Sequence, residues 1–192
     1  MKRFFLSAIA LVAIAFASNT KVLAQSKMTM PGNTKMVGGA AMYPSKDIID
    51  NAVNSKDHTT LVAAVKAAGL VETFKGKGPF TVFAPTNAAF DKLPKGTVES
   101  LIKPANKATL TKILTYHVVS GKMDSKTIAA AIKKGHGKAE LTTVEGGKLW
   151  ASMKGNKLIL KDEKGGMSTV TIADVYQKNG VIHVVDTVLM PK

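Results

Sequence analysis

A chain of 192 residues with 27 lysines and arginines against 13 acidic residues carries a formal charge of +14 and contains no cysteine. The length suggests one domain with short additions, and the missing cysteine excludes disulfides, a thiol nucleophile, a thiolate zinc site and a lipid-modified N-terminal cysteine. Arg3 is the only arginine, so every later cation is a lysine; such solvated point charges suit diffuse attraction to polyanions, or solubility alone, and not the bidentate contacts of sequence-specific nucleic-acid recognition.

Lys2 and Arg3 precede an apolar run over residues 4–17, and Val22-Leu23-Ala24 places small residues before Gln25. This is the layout of a secretory signal peptide over residues 1–24, with an apolar run too short for a membrane span, which needs about 20 residues. Its loss removes Lys2, Arg3 and Lys21 and leaves a mature chain of about +11. Without a further apolar span, that chain is expected to be secreted or periplasmic, with no transmembrane segment.

Residues 25–44 carry Met28, Met30, Met36 and Met42 among Gly, Pro, Ser and Lys with no helical or strand period; they read as a linker or packed N-terminal arm. The irregular methionine spacing, without His or Cys, argues against a soft copper site. Ser45 is a candidate cap for a helix over residues 47–53, and Asp57 for the next, Thr59 to Ala68, stopped by Gly69. Leu61, Val62, Val65 and Ala68 share one helical face. Residues 80–84 form a β-type run ended by Pro85, and Thr86 or Asn87 starts a short helix to Asp91. Residues 96–102 and 106–114 read as helices separated by Pro104, residues 116–119 as a strand, and Asp124 caps a helix over residues 125–134 that ends at Gly135. Thereafter residues 141–144, 148–153, 157–162 and 168–172 are short strands joined by Gly-containing turns, and residues 181–185 and 187–190 finish in strand. Helices first and a meander after give an α+β arrangement in a single domain over residues 45–192.

The motifs of common chemistry are missing. Gly121-Lys122 is followed by Met123 and not by Ser or Thr, and the chain has neither H-E-x-x-H nor G-x-S-x-G. No catalytic residue, metal set or cofactor is assigned. His58 and His136 are read as exposed. His117 and His183 interrupt apolar strands and are read as anchors of neighbouring loops, with Asp186 and Thr187 as nearby polar groups. Adjacent strand residues point to opposite faces, so Tyr116 and His117 are not both expected at one interface, and His117 is read as the buried, bonded member. Trp150 is read as a core residue of the sheet, with an exposed aromatic as the alternative.

Three segments carry a family likeness. Residues 81–90, Thr-Val-Phe-Ala-Pro-Thr-Asn-Ala-Ala-Phe, resemble the first conserved box of fasciclin (FAS1) domains; Tyr116-His117 resembles the central Tyr-His motif; and residues 179–189, Asn-Gly-Val-Ile-His-Val-Val-Asp-Thr-Val-Leu, resemble the second box. The resemblance implies a FAS1 fold, a β-wedge or sandwich with several helices packed around it, and a secreted non-catalytic module for cell adhesion or binding to an extracellular or envelope matrix. In animal relatives the Tyr-His segment and an Asp-Ile motif before the second box are linked to integrin binding. Tyr116 and His117 match the first, and Asp174-Val175 falls at the second. These four are the binding candidates carried over, without the receptor, because the bacterial-type leader argues against an integrin partner. Thr86, His183 and Asp186 are the structural polar candidates. A carrier of a small apolar ligand is the alternative, since some algal relatives hold carotenoids.

Overall fold

In the computed structural model, which describes residues 32–192, helices crowd the N-terminal half and a curled sheet the C-terminal half. The leader proposed over residues 1–24, with Met28 and Met30, lies outside the described residues. Where no strand period was visible, β1 (Lys35–Val37) and β2 (Ala40–Met42) form a hairpin around Gly38-Gly39. Both glycines have left-handed φ, which frees the tight turn from a Cβ penalty. Val37 and Met42 are buried in the domain core, so this part of the arm is packed.

Helix α1 (Ile48–Ala52) is capped by Asp47, whose carboxylate accepts the Asp50 N–H at 2.7 Å, and not by Ser45. Asp57 does not cap α2 (Thr59–Ala68) either: it lies in a 3-10 turn over Lys56–His58. Gly69, at φ 72°, ends α2 as a left-handed cap. After α3 (Val71–Lys75) comes β3 (Phe80–Pro85), then α4 (Asn87–Asp91), α5 (Thr97–Leu101) and α6 (Lys107–Tyr116). Tyr116, expected in a strand, is the last residue of α6, and β4 (Val118–Ser120) begins only after His117. The β-branched and aromatic residues that suggested a strand pack here as a helix end, with the Thr115 hydroxyl donating back to Thr111 O at 2.8 Å. Asp124 caps α7 (Ser125–Lys134), accepting the Thr127 N–H at 2.8 Å.

The meander follows as β5 (Lys138–Thr142), β6 (Lys148–Lys154), β7 (Lys157–Lys161), β8 (Met167–Gln177) and β9 (Gly180–Val185). Residues 187–190, also expected in strand, lie outside the sheet. The seven strands run in the order β4-β3-β9-β8-β7-β6-β5, antiparallel except for the parallel pair β3–β9. A bridge from Val119 to Thr143 brings the two edges together, so the sheet curls nearly shut. Inside the curl, Leu149, Ala151, Leu158 and Leu160 pack under Ile128 and Ile132 of α7; full burial of each such aliphatic is worth about 1.5–3 kcal/mol. A second core lies between β3, β9 and helices α1, α2, α3 and α6. The result is the α+β wedge with peripheral helices that the resemblance implied.

Candidate functional site

The three family-like segments meet where α6 turns into β4. His117 closes α6, its N–H donating to Leu114 O at 3.2 Å, and its own carbonyl accepts the Phe83 N–H at 2.9 Å. The ring is buried, with Nδ1 2.8 Å from Ile113 O and Nε2 accepting the Leu189 N–H at 3.0 Å. Since a main-chain carbonyl only accepts and an N–H only donates, the imidazole is neutral with its proton on Nδ1. Burial pushes its pKa down to about 4. One side chain thus ties the end of α6 to the C-terminal segment, and its carbonyl holds β3.

Tyr116 is also buried. Its hydroxyl donates to Lys148 O at 2.7 Å and accepts the Glu163 N–H at 3.2 Å. Burial, partly offset by the Glu163 N–H, pushes the phenol up to about 12. The ring lies against Gly147, where an added Cβ would meet Cε2 at 2.7 Å. His183, in β9, stacks on Phe83 at 5.6 Å between centroids. Its Nε2 lies 2.9 Å from Met123 O, and its Nδ1 faces the Asp174 N–H at 3.4 Å; burial lowers its pKa. Asp174 sits in an irregularity of β8 at φ 57°. Its carboxylate accepts the Ser125 N–H and hydroxyl at 2.6 and 2.5 Å, fastening β8 to the first turn of α7. Val175 is buried in the core opposite Ile182.

Of the four binding candidates, then, Tyr116, His117 and Val175 are buried and Asp174 is half-buried and occupied. They hold the fold together and do not themselves form a contact face. Thr86 caps α4 through the Ala89 N–H at 3.2 Å, and Asp186 accepts the Thr169 N–H at 2.8 Å. His58, read as exposed, is buried beside Ser55 Oγ at 2.9 Å; His136 is exposed in a turn. Two asparagines of the family-like boxes carry long-range links not expected from the sequence, although Asn87 is read there as a possible helix start. Asn87 accepts the Thr60 N–H at 3.0 Å and donates to Lys56 O at 2.9 Å. Asn179 accepts the Ile48 N–H at 3.1 Å and donates to Phe74 O at 2.8 Å. Their presence in the boxes was the available sign; a strand-flanking Asn otherwise reads as turn chemistry.

Between α1, α2 and β3 lies an apolar cavity of about 40 Å³, lined among others by Ile49, Val65, Phe74 and Leu114. It has room for little more than a water-sized guest, against the roughly 300 Å³ or more of a typical small-molecule site. Among the described residues no group of three His, Asp or Glu side chains is placed to hold a metal ion, and no helix is long and apolar enough to cross a membrane.

Comparison with known proteins gives this arrangement its context. The fasciclin domain family model matches residues 56–191. Protein sll1483 of Synechocystis sp. is 44% identical over 92% of this chain and 91% of its own length. The cell surface glycolipoprotein MPB83 of Mycobacterium bovis is 34% identical over 85% of this chain and 66% of its own. Among solved structures, a FAS1 domain pair from the insect cell adhesion molecule Fasciclin I matches with a TM-score of 0.68 at 16% identity, covering 76% of this chain and 51% of that one. A family match over most of the chain and a relative aligned nearly end to end place the chain in the fasciclin domain family.

Proposed function

We propose that the protein is an exported, non-catalytic fasciclin module that attaches to an extracellular or envelope matrix, with anionic polysaccharide as its partner. The observation that carries this reading is how the conserved-box polar side chains are used. His117 and His183 engage main-chain groups through both ring nitrogens. Neither is left as a free base beside a nucleophile, the pairing that covalent catalysis requires. The outside of the molecule remains rich in lysine, and its relatives include a cell adhesion molecule and a cell surface glycolipoprotein. A carotenoid-sized guest does not fit the apolar cavity of about 40 Å³ between α1, α2 and β3, which counts against a carrier that encloses its ligand there. Immobilised mature protein, incubated with an envelope and matrix extract of the producing cell at low salt, is expected to retain acidic polysaccharide and release it as salt rises. Retention of a stoichiometric coloured lipid instead, with no polysaccharide, would overturn the reading.

A further inference from the structure

The meander has one face with nothing from the described residues packed on it. Leu149, Ala151, Leu158 and Leu160 point inward, so by strand alternation their neighbours point out. Across the strands the register sets Glu140 beside Trp150, Trp150 beside Lys161, and Lys161 beside Met167. The next row runs Lys138, Ser152, Ile159, Thr169, and beyond it Lys154 pairs with Lys157. The outward lysines at 138, 148, 154, 157 and 161 are all exposed, and Glu140 is the only acidic side chain in these rows. Glu140 is occupied by Lys148 at 2.8 Å, which leaves Lys138, Lys154, Lys157 and Lys161 with no ion-pair partner on the face among the described residues. Half-buried Ile159 floors a shallow depression of about 430 Å³ walled by Lys154, Lys157, Met167 and Thr169, and half-buried Trp150 lies one strand away.

We infer that this outer face of β5 to β8 is the docking surface for an acidic polysaccharide, with Lys154, Lys157 and Lys161 meeting its anionic groups and Trp150 and Ile159 taking the apolar faces of its sugar rings. The inference rests on the proposed matrix function and assigns it a place. Sheet geometry sets Lys154 about 4.8 Å from Lys157 across the strands and Lys161 about 13 Å further along β7, with Ile159 between them, an alternation of charged and apolar positions suited to an extended chain of charged sugars. A second copy of this chain would set lysine against lysine. A membrane surface would be met by basic charge, but a half-buried tryptophan on a pleated face offers no projecting anchor or amphipathic helix to insert. Single-stranded nucleic acid is better served by several stacked aromatics, and this face has one.

The test uses the mature protein, alginate oligosaccharides and dextran sulfate as anionic probes, and neutral dextran as control. Trp150 is the only tryptophan in the sequence, so its emission reports on this face alone. Alginate is expected to perturb that emission saturably and to shield it from iodide quenching. The triple variant K154Q/K157Q/K161Q is expected to weaken binding about tenfold, the combined loss of three exposed charge contacts. The charge-matched triple K75Q/K77Q/K122Q, in a cleft elsewhere on the surface, is expected to change it less than about twofold. Equal losses in both triples, or unchanged Trp150 emission at saturation, overturn the site while leaving polyanion binding intact. No binding of either probe by the parent protein overturns the matrix reading as well. Binding to phosphatidylglycerol vesicles with none to polysaccharide overturns the assigned partner. Because the three substituted lysines are exposed strand residues, unchanged far-ultraviolet dichroism is the expected check that the variants fold.

Discussion

Acidification from about pH 7 to about pH 5.5 should weaken the fold through His117, in a range where ordinary carboxylates stay ionised. The imidazole titrates at about 4 in the folded protein and at about 6.5 in an unfolded chain. Between those limits the unfolded chain binds more protons, so the stability contributed by the neutral ring is complete above about pH 6.5 and is lost progressively towards about pH 4. Over the window from about pH 7 to about pH 5.5 this one residue accounts for about 1 kcal/mol. His58 and His183 are lowered by burial as well and steepen the same slope. At a urea dependence of about 2 kcal/mol per molar, the His117 share is a fall of about half a molar in the unfolding midpoint. Trp150 fluorescence follows the transition. His117→Asn keeps a donor for Ile113 O but loses the acceptor for the Leu189 N–H. It should cost about 1–3 kcal/mol at pH 7 and flatten the pH slope by the His117 share. An unchanged midpoint across the window in the parent protein, or an undiminished slope in His117→Asn, would refute the reasoning.

Gly147→Ala should lower stability by about 1–3 kcal/mol, because its Cβ would press on the buried Tyr116 ring; a thermal melt checks this. Asp174→Ala should cost about 1–2 kcal/mol, by stranding the Ser125 N–H and placing alanine in a left-handed conformation. Asp174→Asn, which tolerates that conformation and still accepts a hydrogen bond, should cost less in the same melts. Export should remove residues 1–24, so mass spectrometry of the exported chain should find Gln25 at its N-terminus.

Local chemistry was legible wherever it governed structure. The glycines at 146, 155 and 165 announced turns and indeed adopt positive φ, and Asp124 and Thr86 announced helix starts. Elements whose form depends on distant partners were harder. Tyr116 and His117 carry strand-type neighbours, yet the buried ring of Tyr116 and the bond from Leu189 hold them as a helix end. The last five residues of β8, 173–177, do not read as strand because the irregularity around Asp174 breaks the two-residue alternation there. Asn179 reaches Ile48 and Phe74 across more than a hundred residues of chain, and no local pattern encodes such a link. The family likeness pointed to the right segments, and His117 is buried as read, but the burial of Tyr116 and Val175 was not visible in it. Trp150 was assigned to the sheet core, and its outward side follows only once the alternation about Leu149 and Ala151 is fixed by packing.

The parallel pairing of β3 with β9 has a bearing on how the chain is made. Phe80 lies beside Gly180 and Pro85 beside Val185, so the middle of the sheet is completed only once the last strand of the domain has left the ribosome. Until it arrives, β3 has only β4 on its one flank and β8 lacks its neighbour, and the loop to be closed is long and entropically costly. A nascent chain ending before residue 180 therefore has two open edges and an unroofed helical core. On the proposed export route, that order of events delays folding of the domain until its last strand has been made and keeps the polypeptide threadable through a narrow translocation pore.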